Sequence, residues 1–167
     1  MTDTAKLKVL MVCLGNICRS PTAEATFQKQ VRQAGLAEII HVDSAGTSNW
    51  HVGEQPDARS MRHAALRDYD LSTQRARQVS DEDFARFDYI MAMDWQNLRD
   101  LQARCPPQHQ HKLALFLGEG LRGYRSVPDP YEQGAEGFEL VLDLCEEASA
   151  ILLQDLIERL QAEHARD

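Results

Sequence analysis

The 167-residue sequence predicts an α/β fold, a single three-layer domain spanning 1–167 with a central four-stranded parallel sheet and helices on both faces. Three observations predict it. Short apolar runs alternate with longer stretches of helical period. The first run is nearly continuous in apolar residues, as a strand covered on both faces should be. The length suits one domain, because a chain of this size buries roughly two-thirds of its surface.

Taken in order, Leu7-Lys8-Val9-Leu10-Met11-Val12 reads as the first strand. Ser20 and Pro21 then supply a cap residue and a preorganised first turn, and Ala23, Phe27, Val31 and Ala34 recur at helical spacing until Gly35. Ile39-Ile40-His41-Val42 makes a second strand. Asp57 caps a helix carrying Met61, Ala65 and Leu66 on one side. Tyr89 to Met93 is a third strand, followed by Asp94 as cap of a helix with Leu98 and Leu101. Leu113 to Leu117 is the fourth. From Phe138, the residues Val141, Leu142, Cys145, Ala148, Leu152, Leu156 and Leu160 keep a helical period and predict one long closing helix. Pro106-Pro107 and the segment Gly118 to Pro130 are the extended loops. Right-handed crossovers in such a sheet place the ligand site at the carboxyl ends of the strands, and the first of those ends is Cys13.

Charge bounds the partners. Lys and Arg number 18 against 26 for Asp and Glu, a formal net charge of −8. Residues 1–131 hold 16 basic and 16 acidic side chains, so the whole excess lies in residues 132–167. Nucleic-acid binders present a basic surface to phosphate, so neither nucleic acid nor a membrane surface is an expected partner. The apolar stretch at the start is too short and unpatterned for a signal peptide, and no run approaches the ~20 residues of a membrane span. The expectation is a cytoplasmic monomer without membrane insertion. Cys13, Cys18, Cys105 and Cys145 are too few and scattered for a disulfide scaffold, which leaves reactive thiols or core packing.

Three motifs are set aside. Gly118-Glu119-Gly120-Leu121-Arg122-Gly123 matches a dinucleotide fingerprint, but Val127-Pro128-Asp129-Pro130 follows where that fingerprint must open a helix. Cys105, His109 and His111 lack a fourth metal ligand and a rigid frame, and Cys13 with Cys18 lacks a second cysteine pair. The strong signal is Cys13-Leu14-Gly15-Asn16-Ile17-Cys18-Arg19-Ser20-Pro21, set between a buried strand and a helix. A loop of this size at a helix amino terminus can aim successive backbone N–H groups at one oxyanion, with Gly15 expected to relieve unusual dihedrals. The same donors and the helix dipole favour a thiolate at Cys13. Arg19 can clamp two phosphoryl oxygens with its planar fork.

This stretch, C-x-G-N-x-C-R-S-P, resembles the signature of the low molecular weight protein tyrosine phosphatases, and the resemblance covers essentially the full length. Asp43-Ser44-Ala45-Gly46 and Asn49-Trp50 resemble the family's loop after strand two. Ala76-Arg77-Gln78, Phe87-Asp88-Tyr89-Ile90 and Met93-Asp94 match mid-chain segments, and Asp129-Pro130-Tyr131 resembles the acid loop. The resemblance implies phosphotyrosine hydrolysis through a cysteinyl phosphate. Cys13 is then the nucleophile, Arg19 the phosphate clamp and Asp129 the general acid and base, with no metal or organic cofactor. Leu14, Gly15, Asn16, Ile17 and Cys18 form the phosphate-binding loop after the first strand, while Trp50 and Tyr131 are cleft walls. Ser20 supports the sulfur, its other reading being the helix cap, and Asn16 and Ser44 fix the loop in shape. A reversible disulfide between Cys18 and Cys13 under peroxide is a hypothesis that their closeness in the loop raises and the sequence leaves open.

Tyr131 is followed by Glu132, where some members carry a second tyrosine, so regulation through that tyrosine is not expected and the rim is more acidic. Partners implied are tyrosine-phosphorylated proteins, among them an autophosphorylating tyrosine kinase. Alternatives on the same scaffold are a protein arginine phosphatase, which usually has Thr where Ile17 stands, and an arsenate reductase, for which Cys105 and Cys145 look badly placed. A non-catalytic phosphotyrosine-binding module is the alternative of another class.

Overall fold

The computed structural model describes residues 5–166 of the chain; the first four residues and Asp167 of the 1–167 reading lie outside the described residues. Four parallel strands, β1 (Leu7–Cys13), β2 (Ile40–Gly46), β3 (Tyr89–Ala92) and β4 (Leu113–Leu115), form one sheet in the order β2-β1-β3-β4. The helices are α1 (Arg19–Gln33), α2 (Ala58–Ala65), α3 (Asp81–Arg86), α4 (Trp95–Arg104) and α5 (Ala135–Arg166). The predicted fold class is what forms.

Period-2 geometry explains the layers. Along β1, Val9 and Met11 face a core built with Phe27 and Val31 of α1 and Val141, Leu144, Cys145 and Ala148 of α5. Leu10 and Val12 face the opposite core, with Phe84, Phe87, Leu98 and Leu101. Both faces are covered, hence the nearly continuous apolar run, which only Lys8 interrupts. α2 and the turn after it close against α5 through Ala64, Tyr69, Leu71 and Leu142.

The strand order matters for function. The chain leaves β1 toward β2 on one side and returns to β3 on the other, so the crossovers diverge at the carboxyl end of β1 and leave a crevice there.

Several expectations are corrected. β2 runs through Asp43-Ser44-Ala45-Gly46, expected as loop, because these residues continue in register with Leu10 to Cys13 of β1. β4 stops at Leu115, short of Leu117. The Pro106-Pro107 segment is not an open loop but caps and opens a 3-10 helix, Pro107–Lys112, with proline suited to its first turn. The six residues of α3 are too short to display an apolar period and were not anticipated. Among the described residues no helix is long and apolar enough to cross a membrane.

Candidate active site

β1 delivers Cys13 to the crevice, residues 14–18 form the loop, and α1 begins at Arg19. Two of the roles expected within this loop change hands. The backbone of Asn16, not of Gly15, takes the left-handed conformation, at φ 57°, which asparagine tolerates better than most side chains. Gly15 serves instead as a gap, since a Cβ there would meet the His51 ring at 3.0 Å. Gly46 does the same more strictly. Its absent Cβ would lie 2.7 Å from the Leu14 carbonyl oxygen, so β2 can approach the loop only through glycine.

Ser20 is the second change. Cys18 occupies the cap position of α1, without a side-chain cap bond, so Ser20 sits inside the first turn with its hydroxyl turned back to the loop. Its Oγ lies 3.0 Å from Cys13 Sγ and accepts from Asn16 Nδ2 at 2.8 Å. The backbone N–H of Asn16 also points at Cys13 Sγ, at 3.3 Å. Asn16 Nδ2 further donates to Ser44 Oγ at 3.0 Å, and Asn16 Oδ1 accepts the Arg77 N–H at 3.0 Å. Cys13, Asn16, Ser20 and Ser44 are all buried, so this polar web rigidifies the loop in a low-dielectric surround.

Arg19 is only 4% exposed. Its Nη1 donates to Asp94 Oδ2 at 2.6 Å and to the Val127 carbonyl at 3.1 Å. Burial alone would weaken its charge, but Cys13, Asp94 and Asp129 around it outweigh that and hold the guanidinium above its usual range. Asp94 also caps α4, accepting Asn97 N–H at 2.7 Å. Val127 in turn donates its N–H to the Met93 carbonyl at 2.7 Å. The segment leading to Asp129 is thereby tied to the end of β3 on one side and to Arg19 on the other.

These parts enclose one cavity of about 440 Å³ lined by Cys13, Leu14, Gly15, Ile17, Cys18, Arg19, Trp50, His51, Asp129, Tyr131, Glu132 and Gln133. Asp129 comes from the far end of the sequence and lies across it from the loop, its Oδ1 accepting the Tyr131 N–H at 3.0 Å. Trp50 and Tyr131 are 70% and 49% exposed, which fits open walls and not core packing. Burial pushes the Cys18 thiol up to about 12; a hydrogen bond with Ser60 opposes this, while Asp57, Cys13 and Asp129 add to it. Cys13 and Cys18 are free thiols here, and Cys105 and Cys145 are buried away from the cavity.

Sequence alone assigns no site role to Asp94, which reads as a cap and as part of a matching segment, to Arg77, which is named only within a matching segment, or to His51, Gln133 and Glu24. Arg77 binds Asp43 Oδ2 at 3.0 Å and Asp83 Oδ2 at 2.9 Å, which holds its backbone N–H against Asn16. An arginine flanked by carboxylates distant in sequence gives no local signal. The glycine-rich segment 118–123 forms turns with Gly118, Gly120 and Gly123 at positive φ, and no helix opens before α5. His109 and His111 lie in the 3-10 helix beyond Cys105, and no metal-holding cluster of His, Cys, Asp and Glu occurs among the described residues.

Comparison with known proteins agrees with this geometry. The family described as low molecular weight phosphotyrosine protein phosphatase matches residues 8–165. A Schizosaccharomyces pombe protein of that name is 45% identical over 138 residues, 81% of this chain and 87% of its own. A protein tyrosine phosphatase of Entamoeba histolytica, solved with Hepes in its active site, superposes with a TM-score of 0.88 at 41% identity, covering 91% of this chain and 97% of that one. A Drosophila arginine phosphatase superposes at 0.81 with 35% identity, covering 90% and 98%.

Proposed function

The chain belongs to the low molecular weight phosphotyrosine protein phosphatase family, and we propose that it hydrolyses phosphotyrosine in proteins through a cysteinyl phosphate on Cys13. The supporting observation is that Cys13, Arg19 and Asp129 line one cavity at the topological switch of the sheet. Members of the family are phosphoric monoester hydrolases, and the chemistry follows from the placement of groups.

Phosphate enters over the loop, its oxygens taken by the backbone N–H groups of residues 14–18 and by the part of the Arg19 fork that Asp94 and Val127 leave free. Cys13 Sγ attacks phosphorus, forming the S–P bond as the bond to the tyrosyl oxygen breaks. That oxygen departs as a poor leaving group, the free phenol having a pKa near ~10, so Asp129 delivers a proton to it. Water then attacks the cysteinyl phosphate, giving its proton to the Asp129 carboxylate. The P–S bond breaks and the electron pair returns to sulfur, where the Ser20 hydroxyl at 3.0 Å stabilises the charge.

Trp50 and Tyr131 flank the aromatic ring of the substrate, and the apolar Ile17 side chain lines the same cavity. The phosphotyrosine reading is therefore preferred to the arginine phosphatase one. The test is initial rates on phosphotyrosine, phosphoserine and phosphoarginine peptides, and on arsenate with a thiol reductant, for wild type, Cys13→Ser and Asp129→Ala. Phosphotyrosine turnover should vanish in Cys13→Ser and fall roughly 10²–10⁴-fold in Asp129→Ala. Unchanged turnover in Cys13→Ser overturns the mechanism, and faster turnover of phosphoarginine overturns the substrate.

A further inference from the structure

The web around Cys13 does not end at Ser44. Ser44 Oγ donates to Glu24 Oε1 at 2.7 Å, so a continuous chain of side chains runs from a carboxyl group on α1 to the nucleophilic sulfur. We propose that Glu24 is a positioning residue for Cys13, its loss of a proton tightening the Ser44 and Asn16 hydrogen bonds that hold Ser20 and the loop against the sulfur.

The tightening follows from counting hydrogens. The Arg77 N–H fixes which way the Asn16 amide faces, since it must meet Oδ1. Both hydrogens of Asn16 Nδ2 are then spent, one on Ser44 Oγ and one on Ser20 Oγ. With Glu24 ionised, the single Ser44 hydrogen goes to the carboxylate, and Ser44 oxygen is left to accept from Asn16. Ser20 likewise accepts from Asn16, and its one hydrogen has two acceptors in reach, Cys13 Sγ at 3.0 Å and the Ala45 carbonyl at a longer 3.5 Å, so a thiolate at Cys13 draws it. When Glu24 is protonated, it no longer demands the Ser44 hydrogen, and a bond to a neutral carboxyl is about half as strong as one to a carboxylate. The hold on Asn16, and on the left-handed turn it forms, weakens.

The surroundings make this change reachable. Burial pushes the Glu24 carboxyl up to about 7, the Ser44 hydrogen bond and the Arg77 charge pulling it down and the Asp43 charge pushing it up. Glu24 also lines a separate cavity of about 260 Å³ whose other charged groups are Arg32 on α1 and Asp68 and Asp70 after α2. Gln74 lines that cavity too, and its Oε1 is buried without a hydrogen-bond partner among the described residues.

The role assigned to Cys13 rests on the function proposed above, so the test reads the sulfur itself and not turnover. The rate of iodoacetate alkylation at Cys13, followed by peptide mass mapping, is measured from pH 5.5 to 8.5 for wild type, Glu24→Gln, Ser44→Ala and the double variant. Gln keeps an acceptor for Ser44 but stays neutral at every pH. The ratio of wild-type to Glu24→Gln rates should rise from about one at low pH to about fivefold above pH 8, with its midpoint near neutrality. In the Ser44→Ala background Glu24→Gln should change nothing further, because the chain is already cut. A ratio that stays flat with pH, or an equal effect of Glu24→Gln with and without Ser44, overturns the proposal. Loss of phosphatase activity with the ratio intact would instead count against the assigned reaction alone.

Discussion

Arg19 and Asp94 meet at 2.6 Å, so the side chain expected to grip the phosphate is itself gripped by the residue that caps α4. Asp94 does two separable things, and substitution should separate them. Asparagine caps a helix about as well as aspartate, so Asp94→Asn should keep the cap of α4 and lose only the stability that comes from the charged partner of the buried guanidinium. A fall of roughly tenfold or more in kcat/KM is expected from Asp94→Asn. Asp94→Ala should add to this a stability loss of about 1 kcal/mol from the missing cap. Full activity in Asp94→Asn would show that Arg19 is positioned without it.

Arg59 performs a comparable service for the cleft wall. Its guanidinium lies over the Tyr131 ring at 5.2 Å and the Phe138 ring at 4.8 Å while pairing with Asp57 at 3.1 Å. The start of α2 is thus joined to the segment just beyond Asp129. Arg59→Ala should raise KM for a phosphotyrosine peptide about two- to fivefold with a smaller change in kcat, and Arg59→Lys should not restore it, because an ammonium cannot stack as a plane. Steady-state kinetics on the three proteins decides this; a lysine variant with wild-type KM would refute the stacking account.

The Cys18 thiol, pushed up to about 12, is protonated at neutral pH. Closure of a Cys13–Cys18 disulfide, in which Cys18 sulfur attacks the sulfenic acid at Cys13 and water leaves, therefore depends on a scarce thiolate. Its rate should climb about tenfold per pH unit between pH 7 and 9. Mass spectrometry after mild peroxide at each pH measures the link. Sulfinic acid at Cys13 with no link at any pH would reject the disulfide.

Glu24 has a stability consequence with a definite sign. Its carboxyl is raised from 4.5 to about 7 in the folded chain, so the folded state keeps a proton that the unfolded chain releases first. Stabilisation present below pH 4.5 is lost as the pH rises through about 7. Glu24→Gln should therefore unfold at a higher temperature than wild type at pH 8, by up to about 3 kcal/mol in free energy, and converge on wild type below pH 5. Thermal melts at the two pH values test it; a destabilised Glu24→Gln at pH 8 would show that ionisation is not costly there. A carboxylate kept at such a cost fits a residue retained for what it does to the loop.

The chain between Leu7 and Gln33 was legible because its information is local. A buried strand, a short loop and a helix amino terminus place Cys13 and Arg19 around one anion site through spacing alone, and strand and helix periods gave the layers around it. Roles inside the loop were less legible. Sequence could not tell whether Ser20 would cap α1 or face the sulfur, because that depends on which residue takes the cap position, and Cys18 takes it. Nor could it tell that Asn16 and not Gly15 would bear the left-handed turn, since either residue type can.

Short-range pattern alone carries the four strands, the longer helices and the spacing that pairs Cys13 with Arg19. Tertiary structure alone decided what surrounds them: Asp94 and Val127 on Arg19, Asp129 across the cavity, Arg77 and Glu24 behind Asn16. The reason is that hydrogen bonds between side chains far apart in sequence depend on strand order and crossover direction, which bring β2, β3 and the start of α5 to one end of the sheet. No periodicity records that meeting, and it is there that the charge and geometry of the site are set.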